Sequence, residues 1–152
     1  MRFVIQRVKH ASVEIDSSIY SEINLGYLVL VGISDSDTKE IADKMIQKLI
    51  GLRIFEDENG KTNLSIRDVN GDMLIVSQFT LYADCKKGNR PSFIKAGKPD
   101  YAEGLYKYVL EKSEELFDKK VYSGVFGADM KISLLNDGPF TILLDSDELQ
   151  IK

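Results

Sequence analysis

The stretch Met73-Leu74-Ile75-Val76-Ser77-Gln78-Phe79-Thr80-Leu81-Tyr82-Ala83-Asp84 sets an apolar run directly against a polar cluster. Met73 to Val76 have the length and composition of a buried strand. Ser77, Gln78 and, past Phe79, Thr80 follow at once. Polar side chains packed against a core strand need hydrogen-bond partners or they cost stability. A core strand ending in hydroxyl, amide and hydroxyl groups therefore reads as the wall of a site. A second stretch of this kind, Asn136 to Thr141 (NDGPFT), interrupts the run Ile132 to Leu144. The two are expected to meet, with the rest of the chain holding them.

Backward from Met73, Val69-Asn70-Gly71-Asp72 is a turn, and Ser65 to Arg67 is a helical turn or a strand. Glu56 to Gly60 (EDENG) is an acidic turn without the closing ligand of a calcium loop. Leu52 to Phe55 is a short strand. Ile41, Ala42, Met45, Ile46 and Leu49 recur at helical spacing, with Asp37 or Thr38 as cap, Glu40 in the first turn and Gly51 as the stop. Tyr27 to Ile33 is almost wholly apolar, a central strand. With Ile19 to Ile23 as a return strand, turns at Asp16-Ser17-Ser18 and Asn24-Leu25-Gly26 predict a three-stranded antiparallel meander. In Met1 to Ile15 the apolar alternation is clean at both ends but slips by one place between Ile5 and Val8. Such a slip marks a bulge or sharp bend near Gln6–Arg7.

Forward from Thr80, the chain turns polar. Asp84, Lys86, Lys87 and Gly88 precede Arg90-Pro91-Ser92-Phe93, a loop too long for a minimal hairpin. A helix is expected from Pro99 or Asp100 to about Leu116. It would bury Tyr101, Ala102, Leu105, Tyr108, Val109 and Lys112, with Gly104 marking close packing. Gly124 and Gly127 bracket Val125 and Phe126, which suits a bend or a close approach to substrate. Pro139 within an apolar run signals a bulge, a turn or a cis bond. The polar tail, Asp145 to Lys152, reads as a short edge segment. These elements predict an α+β fold: a curved, largely antiparallel sheet closing toward a β-barrel with two flanking helices, in a single domain over residues 1–152.

A net charge of -4 argues against a broad non-specific DNA binder but does not exclude local nucleic-acid contacts, with positive residues gathered at Arg2, Arg7 and Lys9 and again at Lys86, Lys87, Arg90, Lys95 and Lys98. One cysteine excludes an intramolecular disulfide. The basic, alternating start lacks a signal peptide's apolar core, and no run spans a bilayer, so a cytoplasmic protein without membrane partners is expected. His10 is the only histidine, which leaves a zinc site or a Ser-His-Asp triad without support. No nucleotide-binding glycine motif is present, and no cofactor or metal is expected.

Ser77-Gln78-Phe79-Thr80-Leu81 resembles the SQxxL motif of the D-aminoacyl-tRNA deacylases, and Asn136 to Thr141 resembles their NxGPxT motif. Met1 to Val8, Lys87 to Phe93 and Gly124 to Met130 also resemble that family, so the likeness runs over essentially the whole chain. It implies hydrolysis of the ester of D-aminoacyl-tRNA, a chiral proofreading step in translation quality control. It further implies a homodimer with active sites at the interface. Gly138-Pro139, in a cis peptide bond, would reach across as a filter whose carbonyls exclude L side chains but admit glycine. Ser77, Gln78, Phe79 and Thr80 would form the catalytic segment. The N–H groups near Phe79 and Thr80 would stabilise the oxyanion. Phe79 and Met130 would seat the terminal adenosine, and Phe126, Asn136 and Thr141 would belong to the substrate-binding and filter region. Arg7, at the predicted bend, would hold the Gly-Pro loop by bonding a carbonyl, and Lys86, Lys87 and Arg90 would contact the acceptor-stem phosphates. The RNA's own 2′-OH would take part in the chemistry, with a Thr80 nucleophile as the rival scheme. On the residues alone, a non-catalytic binding module for the tRNA 3′ end and a small metabolite-binding barrel also fit. The first would bind aminoacyl-tRNA without shortening its ester lifetime, and the second would ignore tRNA.

Overall fold

The computed structural model describes residues 1–152. In order they form β1 (Arg2–Ile15), β2 (Ser18–Ile23), β3 (Gly26–Gly32), α1 (Lys39–Ile50), β4 (Arg53–Glu56), β5 (Thr62–Ser65), β6 (Asp72–Ser77), a 3-10 turn (Phe79–Tyr82), α2 (Pro99–Phe117), β7 (Val121–Ser123) and β8 (Lys131–Asp145). The long strand β1 is the spine. Along one edge it pairs antiparallel with β8 from Arg2↔Asp145 to Glu14↔Lys131. Along the other edge β3 and β2 lie end to end, and every pair from Arg2↔Gly32 to Val13↔Ser21 keeps one register. β2 and β3 are thus a single return strand interrupted at Asn24-Leu25. This corrects the three-stranded meander: Asn24-Leu25-Gly26 has the chemistry of a turn, but pairing to β1 continues beyond it.

β6 joins β3 in parallel, and β7 joins β6 in parallel. Both pairings need a crossover, supplied by α1 with the β4–β5 hairpin and by α2. The remaining pairings of this six-stranded sheet are antiparallel, and it curves into a nearly closed, barrel-like form with two helices.

Two hydrophobic clusters occupy opposite faces of the sheet. Phe3, Ile5, Tyr27, Val29, Met73 and Ile75 pack under the helices. Val8, Ala11, Val13, Leu28, Leu74 and Val76 fill the other side. Phe3 and Ile5 serve the first cluster and Ala11 and Val13 the second, although alternation would put all four on one face, so β1 must slip by one place between them. Its register with β8 breaks at Arg7, where the bend is expected, and again at Lys9.

In α1 the Thr38 hydroxyl accepts the Ile41 N–H at 3.3 Å, and Ala42, Met45, Ile46, Leu49 and Ile50 are buried. In α2 the buried set is Ala102, Leu105, Tyr106, Val109, Ser113 and Phe117. The expected face is corrected by part of a turn. Tyr101 and Tyr108 sit on its flank, where their hydroxyls bond the Asp37 carbonyl and the Asp43 carboxylate. Lys112 pairs with Glu115. Gly104 faces open space, so it marks no close packing. The tail forms turns rather than an edge strand. No helix is long and apolar enough to cross a membrane.

Candidate active site

β6 carries the first motif out of the core. The Gln78 N–H donates to the Val31 carbonyl at 2.7 Å, prolonging the β3–β6 pairing by one bond, after which the chain coils into the 3-10 turn. The N–H groups of Phe79 and Thr80 open that turn, where a helix has no acceptor of its own for them. The Gln78 amide Nε2 donates to Thr80 Oγ1 at 2.6 Å. Phe79 is 56% exposed and meets Phe93 edge to face at 5.0 Å. Arg2 braces the far side of the turn. Its Nη1 donates to the Leu81 carbonyl at 2.8 Å, its guanidinium lies 4.6 Å from the Tyr82 ring centre, and its Nε donates to Asp145 at 2.6 Å. Burial pushes the Tyr82 hydroxyl up to about 12. Burial also pushes the Asp145 carboxyl upward, but the Arg2 hydrogen bond and the Asp147 N–H outweigh it and hold it below the usual carboxylate range.

The turn opens on a cleft of about 810 Å3 whose walls include Ser77, Gln78, Phe79, Phe126 and Met130. Gly124 shapes this wall. A Cβ there would stand 2.4 Å from Met130 Sδ, so the thioether reaches its place only past a glycine.

The second motif is built differently. Between Gln6↔Thr141 and Val8↔Asn136 the residues Asp137 to Phe140 stand opposite Arg7 alone. These four residues must loop out of the strand. Asn136 closes the neck: its Oδ1 accepts the Phe140 N–H at 2.6 Å and its Nδ2 donates to Thr141 Oγ1 at 3.0 Å. Asn and Thr at those two places of the motif thus have a direct geometric use. Arg7, 5% exposed, fills the base. Its Nε donates to the Asp137 carbonyl at 2.8 Å, its Nη1 to the Ile54 carbonyl at 2.6 Å, and its guanidinium lies 4.6 Å from the Phe140 ring centre. Gly138 and Pro139 are exposed at the tip, joined by a cis peptide bond. A Cβ on Gly138, at φ +145, would crowd the Phe140 N–H at 3.1 Å and Arg7 at 3.3 Å.

Ser77, Gln78 and Phe79 thus share one cleft with Phe126 and Met130, and Thr80 stands beside it on the turn. Arg7, Asn136, Gly138, Pro139 and Thr141 form a separate group. Within one chain the two groups do not meet. Arg7 is level with Met73, four residues before Ser77 on β6. The strand order β8-β1-β3-β6 adds three strand spacings, roughly 14 Å along the sheet. Lys86, Lys87 and Arg90 are exposed on the loop before α2 and take part in no ion pair. His10 is exposed and pairs across the strands with Leu135. No group of three or more His, Cys, Asp or Glu residues is placed to hold a metal. The sequence reading missed Phe93, Ile94 and Lys98 as cleft residues and Arg2 as a brace. An exposed loop isoleucine carries no periodic signal, and the partners of Arg2 lie 79 and 143 residues away.

A family model described as D-Tyr-tRNA(Tyr) deacylase matches residues 4–145. A D-aminoacyl-tRNA deacylase of Flavobacterium psychrophilum is 56% identical over 146 residues, covering 96% of this chain and 97% of that protein. One of Fusobacterium nucleatum is 53% identical over 152 residues, covering 100% of both. Among solved structures, the c-Myc DNA Unwinding Element Binding Protein superposes with a TM-score of 0.91 at 42% identity, covering 96% of this chain and 99% of that one. A probable eukaryotic D-amino acid tRNA deacylase gives 0.84 at 20% identity, covering 95% and 98%, a likeness of fold.

Proposed function

The chain belongs to the D-Tyr-tRNA(Tyr) deacylase family, and from that premise we infer that it is a hydrolase cleaving the ester between a D-amino acid and the 3′-terminal adenosine of tRNA. The terminal nucleoside occupies the apolar cleft against Phe79, Phe126 and Met130. The ester carbonyl points at the N–H groups of Phe79 and Thr80, and the tetrahedral oxyanion gains the bonds those donors otherwise lack. Ser77 and Gln78 orient the substrate. Water attacks with help from the RNA's own 2′-OH. The partner of the Thr80 hydroxyl is an amide, which accepts no proton at neutral pH, so the nucleophile scheme has no base to draw on.

The observation that carries the stereochemical part is the separation of the two motifs. The cleft offers donors and apolar walls but nothing that discriminates hand. The Gly138-Pro139 tip offers backbone carbonyls and stands clear of its own cleft. A two-fold homodimer that sets each tip into the partner's cleft completes both. Two features support this arrangement. β8 pairs only with β1, leaving its outer edge open, and the exposed Leu135 and Leu143 flank the tip along that strand. A rigid carbonyl wall rejects an L side chain by steric clash and unpaired dipoles, and it admits glycine, so glycyl-tRNA is also a substrate. The reaction takes place in the cytoplasm and without a cofactor.

The test is hydrolysis of matched D- and L-tyrosyl-tRNA, with glycyl-tRNA alongside and a DNA duplex as binding competitor. Loss of the D and glycyl esters with the L ester spared is the expected result. Survival of all three while tRNA stays bound would replace this reading with the non-catalytic tRNA-end module.

A further inference from the structure

The loop between the 3-10 turn and α2 is a closed arm. Asp84 and Ser92 exchange both backbone hydrogen bonds, at 2.7 and 2.9 Å. The Asp84 carboxylate also takes the Lys95 ammonium at 2.8 Å and the Lys86 N–H at 3.0 Å. Lys95, followed by that N–H, holds the Asp84 carboxyl below the usual range. The neck is thus tied by one residue bonded to both sides of the loop. Lys86, Lys87 and Arg90 project beyond it, all exposed and none ion-paired, although the chain carries 24 acidic residues. On the cleft side of the neck, Phe93 is 38% exposed against Phe79, and Ile94 is 92% exposed. Both line the same cleft as Ser77 and Met130.

An apolar platform that runs on from a cleft and ends in unpaired cations matches one kind of ligand best. Single-stranded RNA alternates flat apolar bases with phosphates, and proteins hold it by stacking the first and neutralising the second. We propose that the arm is a second nucleotide subsite. Phe93 and Ile94 seat the base preceding the terminal nucleoside, and Lys86, Lys87 and Arg90 take the phosphates of the unpaired RNA end. The subsite rests on the reading of the cleft as the seat of the terminal nucleoside. It makes the enzyme select an ester carried on an RNA strand over the same ester on adenosine alone.

Two variants separate the base contact from the charge contact: Ile94→Ser, and Lys86→Gln combined with Lys87→Gln and Arg90→Gln. Each is assayed on a D-tyrosyl ester carried by an acceptor-stem minihelix with an unpaired end, and on D-tyrosyl-adenosine. The ratio of kcat/KM, minihelix over adenosine, should fall about tenfold or more in each. An unchanged ratio in both variants, whether neither ester slows or both slow equally, overturns the subsite. Binding of the uncharged minihelix, followed by fluorescence anisotropy, reads the arm without any chemistry. Affinity should drop in both variants, and the salt slope of the triple variant should shrink by about 2. Cys85, exposed on the arm and the chain's only cysteine, should alkylate more slowly with the minihelix bound but not with adenosine. Unchanged affinity or unprotected Cys85 overturns the proposal, as does a change in sedimentation of Ile94→Ser in place of an RNA defect. Loss of binding in the variants, with a wild type inert on both esters, would uphold the arm and defeat the ester reading.

Discussion

Two arginines of one strand hold the two motifs, and they hold them differently. Arg2 and Arg7 each donate to a motif carbonyl, of Leu81 and of Asp137, and each lies 4.6 Å from the centre of an aromatic ring, Tyr82 just past the first motif and Phe140 within the second. Beyond that the parallel ends. The Arg2 side chain is 35% exposed and answers a carboxylate, while the Arg7 side chain is 7% exposed and answers only carbonyls and a distant Glu56. The Phe79 turn has another support, since β6 anchors it in the core. The Gly138 tip hangs from an edge strand and depends on Arg7 and Asn136. A site segment grown from a buried strand can do with a supplementary brace, whereas one looped out of an edge must be clamped by a buried residue.

The harshest trial of that contrast is Phe79→Pro, which deletes an N–H where a helical turn tolerates proline and removes with it the ring that packs on Phe93. We expect kcat on D-tyrosyl-tRNA to fall by about 10²–10³, with the preference for D over L preserved. Collapse of the preference would mean that the two motifs are not separable. Next comes Arg7→Leu. It strips donors from two carbonyls in a buried site and should cost about 3 kcal/mol in urea denaturation while the L ester begins to be cleaved. Adding excess Phe79→Pro protein should restore discrimination, because its intact tip would serve the Arg7→Leu cleft. No restoration would count against the crossed dimer.

A smaller change, Gly124→Ala, should push Met130 into the cleft and raise KM about tenfold without touching the D/L ratio. Thr80→Ala should lower kcat by less than about tenfold, whereas loss of a true nucleophile costs far more. The mildest test is pH. The Asp145 carboxyl titrates below its unfolded value, so its contribution to stability is present above about pH 4 and is lost as pH falls through the folded value. Thermal melts at pH 3 to 5 should show Asp145→Asn losing that dependence.

Much of this was legible in the sequence because it is local. Met73 to Val76 announce a core strand by composition, and Thr38 with the Ile41-to-Leu49 spacing announces a capped helix. Even the break in β1 shows, because one skipped place in an alternating pattern has few physical causes. What escaped depends on distant pairings. Asn24-Leu25-Gly26 reads as a turn until β1 lies beside it. The shift of the buried α2 face toward Tyr106 follows from its hydroxyl reaching the Ile75 carbonyl at 2.8 Å, a partner outside any helical spacing. The two motifs could be picked out by resemblance, but their separation within the chain could not, since it depends on strand order.

The place where β1 and β8 break step has a further meaning for how such a protein can vary. Both strands must change faces there to feed two cores, with Ile142 and Leu144 packing on one and Ile132 and Leu134 on the other. The irregularity is required whether or not a loop is hosted in it. A lineage that shortened the tip to smooth the ladder would turn half of β8 inside out, and one that enlarged it would disturb little beyond the neck. The loop is therefore free to grow but not to vanish, and selection for the fold alone would keep a seat open for it.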